Sequence, residues 1–223
     1  LKAFELLLQL HPEMHDQVVM YMLIVPSREN VTQYSALRDE IDRMVGHINA
    51  VYGFNEWTPI AYFYNSYPLE DLSALYVAAD VCLVTSLRDG MNLVAKEYVA
   101  SKAYEEQGVL ILSELAGAAK DLSEATLINP YSIEGTCQAI LLALHMPEKE
   151  QRLHMKDHVA IVQKFNVFHW VKLFFERLAE IKDSQKTRIR KNVQNQVKAQ
   201  IMAQYQESKK RLFFLDYDGT LIG

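Results

Sequence analysis

Two sets of carboxylates stand where they could do chemistry. The first lies in Ser86-Leu87-Arg88-Asp89-Gly90-Met91-Asn92-Leu93-Val94-Ala95-Lys96-Glu97-Tyr98-Val99-Ala100. The apolar, β-branched run Val81-Cys82-Leu83-Val84-Thr85 precedes it and reads as a buried strand. Helix formers follow Asn92, a residue suited to an N-cap. A strand, a turn with one glycine and a helix start suit an anion. The unpaired amides of Leu93 and Val94 and the positive end of the helix dipole would face it. Gly90 removes a Cβ where a ligand must approach the backbone. Asp89, at the lip of the strand, can accept sugar hydroxyls. Glu97 lies four residues past Leu93 on the same helix face and leans back toward the N-terminus, where it can bind a ribose diol behind the phosphates. The same spacing suits an α/β junction that holds no ligand, and spacing alone leaves both readings open.

The second set closes the chain. Arg211-Leu212-Phe213-Phe214-Leu215-Asp216-Tyr217-Asp218-Gly219-Thr220-Leu221-Ile222 is an apolar strand running into Asp-x-Asp-Gly-Thr. A lone Asp-x-Asp is a common acidic turn; the apolar strand and the Gly-Thr-Leu that follow make this one more specific.

The elements that must position these groups follow from hydrophobic periodicity. Helices are expected over Leu1–Leu10, Gln33–Tyr52, Leu69–Ala78, Ile133–His145 and Glu148–Lys164, with a further one after Asn166. Strands are expected over Val18–Val25, Pro59–Tyr64, Asp80–Thr85, Val109–Leu112 and Ala125–Ile128, and a short helix over Gly117–Leu122. The near-continuous apolar character of Val18–Val25 predicts burial on both faces. Alternating strands and helices imply a parallel sheet with crossover helices, the Rossmann-like α/β class. The stripe Phe165, Phe168, Trp170, Phe174 and Phe175 reads as core or inter-domain packing, exposed if its partner is absent. From Lys182 to Arg211 the composition turns to Lys, Arg and Gln, which reads as a linker with some helix. The resulting division is residues 1–183, 184–210 and 211–223.

The wording of the first motif goes further than its spacing. It closely resembles the donor-site motif of trehalose-6-phosphate synthases, retaining glycosyltransferases built from two Rossmann domains, and the resemblance covers about the first four-fifths of the chain. It implies the C-terminal, nucleotide-sugar-binding half of a GT-B glycosyltransferase, taking UDP-glucose and glucose 6-phosphate. In that family the aspartate matching Asp89 holds glucose hydroxyls. The amides matching Gly90, Met91, Asn92, Leu93 and Val94 contact sugar and diphosphate, and the glutamate matching Glu97 binds the ribose of UDP. Such enzymes grip the diphosphate with basic residues and amides, so no cofactor or metal is expected there. Asn65-Ser66-Tyr67-Pro68-Leu69 would flank the uracil ring, although the family often carries a basic residue there and this chain does not. Ser113-Glu114-Leu115-Ala116-Gly117-Ala118 also resembles the family; its Ser and Glu either line the donor cleft or cap the following helix, and the cap is the favoured reading.

The closing stretch resembles the first motif of the haloacid dehalogenase superfamily, and its position resembles that of trehalose-6-phosphate phosphatase. By that resemblance Asp216 is the phosphorus-attacking carboxylate and Asp218 the general acid and base, and both help to hold Mg²⁺. The later motifs of that domain do not follow within the sequence. The chain therefore reads as a piece of a longer, bifunctional protein, with the acceptor domain before it and the rest of the phosphatase after it, and is expected not to turn over alone. A regulatory synthase-like subunit is the rival reading. Homo- or hetero-oligomers are compatible with either.

Composition sets the remaining bounds. With 223 residues, half of them apolar, and a net charge of −5, the chain can bury a core and carries no nucleic-acid footprint over its main body. Cys82 and Cys137 lie in apolar runs and read as core thiols of a reducing, cytoplasmic compartment. No run is long enough to cross a bilayer. His154 and His158, at i and i+4, have metal-compatible spacing without a third ligand and read as a solvated helix face, as do His11 and His15.

Overall fold

The computed structural model describes residues 1–26, 32–189, 195–212 and 214. It forms two units, Leu1–Asn166 and Val167–Gly223. In the first, strands and helices alternate: α1 (Lys2–Leu10), β1 (Met20–Ile24), α2 (Thr32–Tyr52), β2 (Ile60–Tyr64), α3 (Leu69–Ala78), β3 (Val81–Val84), α4 (Leu93–Ser101), β4 (Val109–Ser113), a 3₁₀ turn (Gly117–Lys120), β5 (Thr126–Ile128), α5 (Ile133–Leu144) and α6 (Glu148–Lys164). Among the described residues the strand pairings are all parallel. Among the described residues β1 pairs with β2, and β3, β4 and β5 pair in that order. The expected parallel sheet is thus present as two ladders. Both contribute to one apolar cluster, which includes Ile60 of β2 together with Val109 and Ile111 of β4.

β4 explains the layering. Successive side chains of a strand point to opposite faces. Val109 and Ile111 join the cluster of Phe4, Leu7, Leu8, Ile48, Cys137 and Ile140, from α1, α2 and α5. Leu110 and Leu112 join that of Ala95, Tyr98, Val99, Met155 and Val159, from α4 and α6. The sheet is covered on both sides at β4, and each fully buried leucine or isoleucine contributes about 1.5–3 kcal/mol. Ala3, Phe4, Leu7 and Leu8 recur at helical spacing, which gives α1 one apolar stripe to lay against α5. α2 is pinned by Asn49. Its amide nitrogen donates to the Ile60 carbonyl at 3.0 Å and its oxygen accepts from the Ile60 amide at 2.9 Å.

β1 departs from expectation. Met20 and Met22 pack on the core, but Tyr21 and Val25 are each 57% exposed and Val19 nearly as much. The α4 and α6 layer lies over β3 and β4, and on the odd-numbered face of β1 Tyr21 stacks on Phe63 at 5.0 Å. An apolar run shows that a strand could be buried on two faces; whether it is depends on what the rest of the chain supplies.

The second unit contains α7 (Val167–Ile189) and α8 (Asn195–Glu207). α7 passes residues 183 and 184 without a break. Its aromatic stripe is exposed: Trp170 and Phe174 stack at 5.5 Å on each other, and Phe168 is 80% exposed.

Candidate functional site

The loop between β3 and α4 sits at the carboxyl ends of the strands, where open parallel sheets bind ligands. It is organised by Asp89 and Asn92. Asp89 Oδ1 accepts the amides of Met91 at 3.0 Å and Asn92 at 2.8 Å, and its Oδ2 accepts Asn92 Nδ2 at 3.1 Å. These bonds, the Met91 amide foremost, hold the Asp89 carboxyl below its usual range, so it stays charged at neutral pH. Asn92 is the expected N-cap, accepting the Ala95 amide at 2.9 Å, with a left-handed backbone at φ 66°. Asn tolerates that conformation better than most residues because its short side chain bonds locally. Its amide nitrogen also reaches Ser86 Oγ at 3.0 Å.

This leaves an uneven set of donors. The Met91 and Asn92 amides are already given to Asp89, and the Ala95 amide to Asn92. The amides of Leu93 and Val94 have no protein partner among the described residues, and both residues are well exposed. A Cβ built on Gly90 would meet nothing within 4 Å, so the protein itself does not need a glycine there. Glu97, half-buried a turn into α4, receives the Tyr76 hydroxyl at 3.4 Å on Oε2. Its neighbour Lys96 is engaged elsewhere, paired with Asp121 at 2.8 Å.

A second loop clasps the first. Ser113, fully buried at the end of β4, donates to the Ser86 carbonyl at 2.7 Å and accepts the Leu115 amide at 3.1 Å. The Gly117 amide donates to the Asp89 carbonyl at 2.8 Å, and Asp89 and Ala116 form an isolated parallel bridge. The expectation that Ser113 and Glu114 cap a helix is therefore corrected. The 3₁₀ turn has no side-chain cap; the Ser113 hydroxyl is spent joining the two loops, and Glu114 is exposed. Ser113, Gly117 and Tyr76 were not singled out for these contacts by sequence. The glycine in Ala116-Gly117-Ala118 was the one available signal.

Other expectations resolve less centrally. Asn65 Oδ1 accepts the Ser66 amide at 2.9 Å, and Tyr67 lies edge-on to Phe63 in the loop expected to flank the base. His158 is 2% exposed, so the solvated reading fails for it, while His154 lies near Glu124 and Glu150 at 3.7 and 3.8 Å. The α6 stripe of Met155, His158 and Val159 faces the core, which places one polar residue inside. His11 meets Glu13 at 2.9 Å, and His15 meets the Leu8 carbonyl at 2.9 Å and stacks on Trp57. Cys82 and Cys137 are free thiols raised by burial. Among the described residues no three His, Cys, Asp or Glu side chains form a metal-binding group, and no helix is long and apolar enough to cross a membrane. Asp216 and Asp218, and the motif around them, lie outside the described residues.

Parallel strands, helices on both faces of β4 and a helix start at the carboxyl edge define a Rossmann-like α/β protein. Residues 1–180 match the family described as Glycosyltransferase family 20, and the chain belongs to that family. Among its relatives, the bifunctional trehalose-6-phosphate synthase/phosphatase of Thermoproteus tenax is 42% identical over 222 residues, covering 99% of this chain and 30% of that protein. The UDP-forming alpha,alpha-trehalose-phosphate synthase A of Dictyostelium discoideum is 40% identical, with 100% and 30% covered. Among solved structures, the Escherichia coli protein bound with UDP-2-fluoro glucose is 36% identical at TM-score 0.77, covering 79% of this chain and 39% of that one. The Burkholderia xenovorans synthase in complex with glucose-6-phosphate is 38% identical at TM-score 0.77, with 80% and 40% covered. The chain thus spans about a third of the length of these relatives.

Proposed function

We propose that this chain is the donor-binding half of a UDP-forming trehalose-6-phosphate synthase. The whole protein transfers glucose with retention from UDP-glucose to glucose 6-phosphate. The observation that carries this reading is the loop of Asp89 and Asn92, which leaves the Leu93 and Val94 amides without protein partners among the described residues, in a member of glycosyltransferase family 20. Those amides receive the diphosphate. Asp89, kept ionised, offers its remaining lone pairs to glucose hydroxyls, and Glu97 takes the ribose diol. The Gly90 to Asn92 backbone lies against the sugar, where the open space at Gly90 leaves room. No metal is required at this site, because amides and basic groups lying just upstream of α1 in the whole protein supply the positive charge. Free thiols at Cys82 and Cys137 suit a cytoplasmic location.

The tail extends the reading. Arg211 to Ile222 opens a haloacid-dehalogenase-type phosphatase domain, in which Asp216 and Asp218 hold phosphate and Mg²⁺. Its support is the tail motif, together with the match to the Thermoproteus tenax protein over 99% of the chain.

Calorimetric titration of UDP and UDP-glucose into the full-length protein, followed by a UDP-release assay with glucose 6-phosphate, tests the transferase. Asp89→Ala should lower affinity for UDP-glucose more than for UDP. Glu97→Ala should weaken both by about 1–3 kcal/mol, the worth of a charge-assisted hydrogen bond. Binding without transfer would instead make the protein a regulatory synthase-like subunit. No binding of either nucleotide would end the donor-site reading.

A further inference from the structure

We propose that Tyr76 is a positioning residue for nucleotide binding: its hydroxyl, 3.4 Å from Glu97 Oε2, holds that carboxylate in place before the ligand arrives. The inference rests on the reading of Glu97 as the ribose-binding group. Four features support it.

The two residues come from neighbouring helices, α3 and α4, which pack against each other. Tyr76 is braced edge-on at 6.3 Å by Tyr98, a fully buried residue of α4 whose own hydroxyl lies 3.4 and 3.3 Å from the carbonyls of Ala79 and Asp80. The phenol is therefore held at its ring, and the hydroxyl is brought to Glu97 by packing that owes nothing to a ligand. The Tyr76 hydroxyl also stays protonated. Burial, and then the Glu97 charge, push its pKa up to about 12, so it remains a donor wherever the carboxylate is ionised.

The use of Glu97 is equally specific. Each carboxylate oxygen has two lone pairs. Tyr76 takes one on Oε2, and Oε1 has no protein partner among the described residues. A glutamate free to turn about its side-chain bonds loses that freedom when it grips a diol. One already held by Tyr76 has lost part of it beforehand, and binding is correspondingly tighter.

A double-mutant cycle on the full-length protein, with UDP as the probe, decides this. Tyr76→Phe keeps the ring and its contact with Tyr98 and removes only the hydroxyl. Its melting temperature, measured beside wild type, separates folding from binding. We expect Tyr76→Phe to weaken UDP about threefold to tenfold, the usual effect of one such hydrogen bond, and to add no further loss in a Glu97→Ala background. With 2′-deoxy-UDP, which lacks one of the two hydroxyls, the effect of Tyr76→Phe should shrink. Unchanged UDP affinity in Tyr76→Phe, or the same loss in both backgrounds, overturns the inference while leaving Glu97 in the site. If Glu97→Ala itself binds UDP as wild type does, the ribose reading and this inference fall together.

Discussion

Gly117 and Gly90 meet backbone to backbone, so closely that a Cβ on Gly117 would lie 2.1 Å from the Gly90 carbonyl oxygen and 3.1 Å from the Met91 nitrogen. The obstacle is main chain, which cannot rotate aside as a side-chain tip can. The peptide after Gly90 is thereby set by its neighbour from the next loop.

Gly117→Ala should therefore displace the Gly90–Met91 peptide and cost about 1–3 kcal/mol of stability, as overpacking does. UDP-glucose binding should be lost with it. Gly90→Ala is the contrast. Its Cβ meets open space, so its unfolding free energy should stay within about 0.5 kcal/mol of wild type while sugar binding falls. Denaturant unfolding and calorimetry on both variants check this; equal stability would show that the clasp is slack.

Ser113→Ala removes a buried hydroxyl that both donates and accepts, and leaves the Ser86 carbonyl without that donor. A loss of about 1–3 kcal/mol is expected in urea titration. Loss below 0.5 kcal/mol, on the order of a surface change, would mean that water takes its place.

Asn92→Ala combines a lost cap with a left-handed backbone that alanine disfavours. It should cost about 1–2 kcal/mol for the cap alone and more for the conformation. Asn92→Gly relieves the second term and should be the milder change. The order of the two midpoints in guanidinium is the measurement, and the reverse order would remove φ 66° from the explanation.

His158 gives the fold a pH dependence. Burial depresses its pKa and His154 adds to this, while Asp157 and Glu124 oppose it. The folded state thus favours the neutral ring. Stability is complete above the unfolded value of about 6.5 and declines as pH falls toward the depressed folded value, by at most about 1.4 kcal/mol per pH unit. Urea unfolding at pH 7.5 and 5.5 should show this, and His158→Gln should flatten it; a slope that survives belongs to another group.

The sequence made the framework legible because periodicity is local. Leu69–Ala78 and Glu148–Lys164 have the bounds expected from apolar spacing, and Asn92 caps α4 as its type suggested. What was hidden depends on contacts between distant residues. Ser113 and Ser86 are 27 residues apart, and Tyr76 and Glu97 are 21. The exposed face of β1 and the buried His158 have the same origin, because a pattern states which faces can be covered and the assembled layers decide which are. Asp89 was legible as a carboxylate at a strand end, but its bonds to the Met91 and Asn92 amides follow from loop geometry that spacing does not encode.

β4 is buried along its whole length and lies between two helical layers. Its amide hydrogens should be among the slowest to exchange with solvent, opening only when the whole unit opens. Ser113 ends that strand and holds Ser86, so the loop between β3 and α4 is moored to a fully buried strand. On the proposed reading, its shape would be ready before any nucleotide arrives. Association with this half of the site should be limited by encounter, with no slow ordering step ahead of it.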